Sequence, residues 1–155
     1  AQAMIGEVIE AHLCHAGVIA AIHRVCFEES WNEKSIAEIL KMAGAIGLLV
    51  CAKNKRPKGF ILLRIAADEA EIISIGIVPE SRQKGFASIL LQKAIKLVVM
   101  SNVIKMLFEV AEDNIAARAL YEKFGFQIVG RRSGYYRHSS KKLDAIIYSL
   151  NISDM

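Results

Sequence analysis

Residues 69–98 change hydrophobic period across a single turn. Residues 69–78 read as a strand, Pro79 ends it, and beyond the turn Phe86, Ile89, Leu90, Ala94, Leu97 and Val98 recur on one helical face. Gln92, Lys93 and Lys96 keep the opposite face polar, and a further strand-like run follows at 104–110. Strand, helix and strand in this order form a crossover, which commits the chain to a mixed sheet with helices packed on it. Sheets of this kind bind ligands at such crossovers.

The remaining segments fit that frame. Residues 4–11 alternate weakly as a first strand, and Val18, Ile19, Ile22, Val25 and Cys26 set a helical period over 14–27. Ser30 and Glu33 resemble a capping box that starts a short helix through Met42. Runs at 46–53 and 59–66, separated by the turn-rich 54–58, predict a hairpin, and 69–78 extends it into an antiparallel meander. After the crossover, Asn114 is placed to cap a helix whose inner face is Ala117, Leu120, Tyr121 and Phe124, and Gly125 to stop it. Strands at 126–130 and 143–150 close the chain. The expectation is an α/β fold of the mixed, α+β type: one domain over 4–152, seven strands and about four helices. Ala1, Gln2 and Ala3, ahead of Met4, read as an appendage outside it.

Composition removes several classes of function. Hydrophobic residues make up 54% of the chain, yet no apolar run reaches the roughly 18 residues of a membrane span, and no export signal is visible. Cys14, Cys26 and Cys51 are odd in number and irregularly spaced, so reduced thiols in a cytoplasm are expected. No metal is expected: His23 and Cys26 fall in a helical stretch, and with His12 and Cys14 they form no short Cys-pair knuckle. The net charge of +4 comes without a basic stripe of interleaved aromatics, so no direct nucleic-acid partner is expected.

The turn inside the crossover carries the first chemical signal. Gly76, Ile77, Val78, Arg82, Gln83, Lys84, Gly85, Phe86, Ala87 and Ser88 run from strand end to helix start. Unpaired backbone N–H groups and a partial positive charge make a helix N-terminus an anion site. Gly85 allows close backbone approach, Ala87 leaves room, and Arg82 and Lys84 bring charge to the place a pyrophosphate would take.

Val78-Pro79 followed by Arg82-x-x-Gly85-x-Ala87 resembles the acetyl-CoA pyrophosphate loop of the GNAT superfamily. The resemblance extends along most of the chain. The segment 26–35, the run Leu107-Phe108-Glu109-Val110, the helix from Asn114 to Phe126, and Arg131-Arg132-Ser133-Gly134-Tyr135-Tyr136 with Asp144-Ala145-Ile146-Ile147 are similar to the bacterial ribosomal-protein-alanine N-acetyltransferases. That resemblance implies the GNAT fold, acetyl-CoA as co-substrate and acetyl transfer to an amine. It implies Glu109 as general base through a water, Tyr121 as general acid, Asn114 as a cofactor contact, and backbone N–H groups near Gly76 and Ile77 as oxyanion donors. Trp31, Tyr135 and Tyr136 fall in the two segments that flank the family's peptide groove.

Amide formation from a thioester needs a proton taken from the ammonium and one given to the departing thiolate, which is the task of such an acid–base pair. An α-amine has a pKa of about 7.7–8.0 against about 10.4 for lysine, so deprotonating lysine at pH 7 costs about 3–4 kcal/mol more. A carboxylate base therefore suits a protein or peptide N-terminus, and the resemblance points to a small-subunit ribosomal protein. Lys141-Lys142-Leu143-Asp144 departs from the more acidic sequence of the subfamily, which weakens the case for a strongly basic acceptor. A lysine or small-molecule amine as acceptor, or a silent CoA-binding module, are the alternatives; the residues leave oligomeric state open.

Overall fold

The computed structural model describes residues 5–138 and 141–153. Its elements are β1 (Ile5–Glu10), α1 (Ala16–Cys26), α2 (Glu33–Lys41), β2 (Ala45–Ala52), β3 (Pro57–Ala66), β4 (Glu69–Ile77), α3 (Phe86–Val99), β5 (Lys105–Ala111), α4 (Ile115–Lys123), β6 (Gln127–His138) and β7 (Lys141–Asn151), with short 3-10 turns at Leu13–His15 and Pro79–Ser81. One seven-stranded sheet takes the order β1-β2-β3-β4-β5-β7-β6. This is the mixed α/β architecture that the pattern predicts.

Two cores explain why β2 and β3 read as continuous apolar runs. Leu48, Val50, Ile61 and Leu63 face a large cluster completed by Phe86, Leu90, Leu91, Ala94 and Val98 of α3, Phe108 of β5 and Tyr121 of α4. Leu49, Phe60 and Leu62, one position out of phase, face Ile19, Ile22 and Ile36 of α1 and α2. Side chains alternate across a strand, so a strand sandwiched between two helical layers is apolar at every position. β5 has one covered face: Met106, Phe108 and Val110 are buried, and Lys105, Leu107, Glu109 and Ala111 on the other face are half-buried.

The parallel junction decides where a ligand can enter. β4 and β5 pair only at Glu69–Lys105, Ala70–Met106 and Glu71–Leu107, with a Glu69–Lys105 ion pair of 3.0 Å at the same end. Beyond Glu71 the strands part. β4 stays paired with β3 up to Ile77, so its other edge is left open in the middle of the sheet.

Two local expectations are corrected. The N-cap of α2 is Asn32, whose side chain accepts from Ser35 N at 2.9 Å; Ser30 lies two residues too early. The last two strands are much longer than 126–130 and 143–150. β6 carries two register irregularities, between Ile128 and Gly130 and between Arg132 and Tyr136, which break the alternation that sequence reading relies on. Gly134 within the second takes φ +62°, a conformation that glycine adopts without a Cβ penalty. Among the described residues, no helix is long and apolar enough to cross a membrane.

Candidate active site

The open edge of β4 borders a cavity of about 440 Å³. The end of α1 contributes Cys26 and Phe27, β4 contributes Ile75, Gly76 and Ile77, and the turn before α3 contributes Ser81, Arg82, Gln83 and Gly85. Phe86, Ala87 and Ser88 begin α3 at the same place, and Asn114, Ala116, Ala117, Leu120 and Tyr121 line it from α4. The cavity thus lies along the open edge of β4, with the end of α1, the start of α3 and α4 around it.

The two helix starts at the cavity are not equivalent. No side chain caps α3, whose N-cap Gly85 has φ +90°. Gln83 is also left-handed, at φ +61°, so the turn doubles back and brings its amides round, the geometry of an anion-binding nest. At α4 the Asn114 side chain already accepts from Ala117 N at 3.2 Å. The uncapped N–H groups of the 14-residue α3 are therefore the better anion site.

Side chains of the turn brace it. Arg82 lines the cavity while its Nε donates to the Ile77 carbonyl at 3.0 Å. Lys84 Nζ donates to the Glu80 carbonyl at 3.0 Å, folding back along the turn, and is not among the lining residues. Val78 lies behind the wall, its N–H donating to the Lys58 carbonyl at 2.9 Å. Backbone groups alternate along a strand, so this bond sends the Ile77 amide to the opposite edge, toward the gap, and the Gly76 amide toward β3. A Cβ on Gly76 would lie 2.9 Å from Phe60 Cε1 and 3.1 Å from Cys26 Sγ, so a side chain there would crowd the wall.

Tyr121 is fully buried among Phe108, Phe126 and Tyr148, with ring centroids at 4.5, 5.2 and 6.2 Å. Its hydroxyl has no hydrogen-bond partner among the described residues, and burial pushes its pKa well above the tyrosine range. Glu109 does not line the cavity. Phe108 faces the Tyr121 core and Glu109, the next residue, faces the other way, so the two groups lie on opposite sides of the sheet with the gap beside them. Glu109 Oε1 is 2.9 Å from Arg132 Nη2.

The candidate acceptor residues divide. The Trp31 ring stacks on His23 at 4.7 Å, and the Trp31 backbone N–H donates to His23 Nδ1 at 3.0 Å; burial lowers the pKa of His23. Trp31 stands outside the cavity wall. Tyr135 is exposed, with the Arg132 guanidinium 5.1 Å from its ring centre. Tyr136 pairs with Leu143 through the backbone, and its side chain lies outside the described residues. Among the described residues no group of three His, Cys, Asp or Glu could hold a metal ion.

With that geometry in view, comparison with known proteins is decisive. The model of the Acetyltransferase (GNAT) family matches residues 18–126. The chain belongs to the GNAT acetyltransferase family. Family membership makes it an acetyl-CoA-dependent N-acetyltransferase. Over 123 residues it is 33% identical to the [ribosomal protein bS18]-alanine N-acetyltransferase of Escherichia coli strain K12, covering 79% of this chain and 82% of the relative. The crystallised ribosomal-protein-alanine N-acetyltransferase from Escherichia coli superposes with a TM-score of 0.88 at 25% identity, covering 94% and 93% of the two chains. Arabidopsis thaliana NAA60, crystallised with acetyl-CoA, shares the GNAT fold with a TM-score of 0.81 at 16% identity over 95% and 98%.

Sequence reading of this GNAT chain leaves several lining residues unassigned, Cys26, Phe27, Ile75, Ser81 and Ala116 among them, and does not pair Arg132 with Glu109. Cys26 and Phe27 form a cavity wall because α1 ends over Gly76, with Cys26 Sγ donating to the Ile77 carbonyl at 3.3 Å. Arg132 reaches Glu109 across β7. The Arg131-Arg132 pair is conspicuous in the sequence, but its partner follows only from strand order.

Proposed function

We propose that this enzyme acetylates the α-amine of a protein N-terminus by direct attack on acetyl-CoA, with Glu109 as base and Tyr121 as acid. The observation that carries this reading is the placement of Glu109 and Tyr121 on opposite faces of the sheet at the β4–β5 gap, Tyr121 with an orphan buried hydroxyl. A buried hydroxyl without a partner costs about 1–3 kcal/mol, so one on a residue that lines the cavity suits a ligand that completes it.

Acetyl-CoA, when bound, supplies a thioester carbonyl. The uncapped start of α3 and the turn 81–85 would hold its pyrophosphate, and the Ile77 N–H would donate to the carbonyl oxygen as that oxygen gains charge. Asn114, already turned toward its own helix, borders the same space. On the far face Glu109 would take a proton from the acceptor ammonium through a water. Tyr121 would hand its proton to the departing sulfur, and its raised pKa keeps that proton in place at neutral pH.

The acceptor follows from chemistry and kinship. An α-amine is the easier amine for a carboxylate base, and the Escherichia coli relative is named for an N-terminal alanine of a ribosomal protein. We therefore expect peptides beginning with alanine to be acetylated, and capping the α-amine to abolish the reaction. Under saturating acetyl-CoA, Glu109→Gln and Tyr121→Phe should each lower turnover by roughly 10²–10⁴-fold. Near-normal rates in both variants would overturn the assignment; preferential modification of an internal lysine would overturn the acceptor.

A further inference from the structure

Arg132 is a charged residue to which the reaction gives no task. Its Nη2 lies 2.9 Å from Glu109 Oε1, and its guanidinium sits 5.1 Å from the centre of the Tyr135 ring. A carboxylate on one side and an aromatic face on the other make a cage for a small organic cation. The acceptor of this reaction is such a cation until it loses its proton. We propose that Arg132 is an internal stand-in for the acceptor: the space between Glu109 and Tyr135 is the subsite for the incoming primary ammonium, and Arg132 vacates it when the acceptor enters. The inference rests on the amine-acetylating function proposed above.

The strand register explains how Arg132 gets there. Glu109 on β5 faces Ile147 on β7, and Arg132 on β6 faces Ala145, two residues along β7 on the same face. Arg132 therefore spans a whole strand to meet Glu109, and Ala145 beneath it is too small to block the way. The contact is easily broken. Its side chains are 53% and 29% exposed, so solvent screens the pair.

The hairpin around Arg132 is anchored independently of that contact. Arg131 Nη1 holds Glu112 at 2.9 Å and Asp144 at 2.8 Å, and Asp144 Oδ1 accepts from Gly134 N at 2.9 Å. Four residues of β6, from Arg132 to Tyr136, advance against two of β7, a bulge that re-aims side chains where a strand borders a site. The guanidinium can leave Glu109 while the backbone stays where it is. Departure is also favoured by charge, since a guanidinium and an ammonium repel at one carboxylate and the guanidinium stays protonated throughout. At this subsite a single proton leaves, from the ammonium through a water to Glu109, and Arg132 gains or loses none.

The test is steady-state kinetics on Arg132→Ala and Arg132→Gln with an alanine-initiated peptide. Removing an exposed competing cation should lower the acceptor KM by about 2- to 5-fold with kcat not reduced and the acetyl-CoA KM unmoved. Millimolar guanidinium added to the Arg132→Ala enzyme should raise the acceptor KM again, in competition with peptide. A fall in kcat at constant KM, rescued by guanidinium, would mean that Arg132 positions Glu109, and would overturn the inference; so would no change in either constant. Calorimetric binding of the peptide to the CoA-loaded protein separates this from the base assignment. Normal turnover in Glu109→Gln removes the base, whereas the subsite requires tighter peptide binding in Arg132→Ala and weaker binding in Tyr135→Ala.

Discussion

Tyr121 combines two properties that pull against each other. Its ring fills the core between Phe108, Phe126 and Tyr148, while its hydroxyl is buried without a partner. A residue selected for packing alone would be phenylalanine. We expect Tyr121→Phe to match or exceed the stability of the wild type by up to about 1 kcal/mol in denaturant unfolding, because the orphan hydroxyl is removed and the ring is kept, even as turnover falls. The pH dependence follows from the same burial. The folded pKa of Tyr121 is raised above its unfolded value of about 10, so the contribution is intact below pH 10. It is lost as pH climbs above that value, where the unfolded chain releases the proton and the folded chain holds it. Alkaline unfolding curves of wild type and Tyr121→Phe should diverge there. Sequence could name Tyr121 and Glu109 by resemblance, but not that they face opposite ways. That fact depends on β-alternation at Phe108 and Glu109 combined with the side of the sheet on which α4 packs.

Among the elements, α3 and the β6–β7 hairpin carry the sharpest consequences. Gly85 has room for a side chain, since a Cβ would meet nothing nearer than Ile5 Cδ1 at 3.7 Å; what forbids one is φ +90°. Gly85→Ala should therefore cost roughly 1–2 kcal/mol of stability and weaken acetyl-CoA binding in a titration, by displacing the uncapped start of α3. In the hairpin, Asp144 is held below the usual carboxylate range by the Arg131 guanidinium and then by the Gly134 N–H. A lowered folded pKa means the clamp is present above the unfolded value of about 3.9 and lost as pH falls through the folded one. Hydrogen-exchange protection of the Gly134 amide should drop in acid, and Asp144→Asn should lack that protection at every pH. Legibility in the sequence tracks regularity. β2, β3 and α3 are readable because their periods run unbroken. β6 is not, since Gly130, Arg131, Arg132, Ser133 and Gly134 interrupt its alternation around two bulges. Ser30 was mistaken for the cap of α2 because Asn32, two residues on, makes the same kind of bond.

At the scale of the molecule, the sheet is a continuous ladder with one interruption. Three residue pairs join β4 to β5, and farther along β4 the residues Ile75, Gly76 and Ile77 border the cavity. A ligand with amide groups that lies along that edge would be held as a strand is held. CoA at 100 times its Kd should thus raise the unfolding free energy by about 2.7 kcal/mol. Exchange protection should increase selectively at the gap-facing amides of β4, Ile77 foremost. Uniform protection across all strands, or none at β4, would place the ligand elsewhere. The overall charge of +4 suits a polyanionic cofactor.

The interruption in the sheet is also guarded by its position. Proteins usually guard the unpaired rims of their sheets, because bare backbone invites other chains to attach. Here such a rim runs through the interior, where the layers packed on the sheet already bury Ile72, Ser74, Gly76 and Ile77. Another chain could reach it only if those layers opened first, so the gap can serve a ligand without offering its backbone to neighbours.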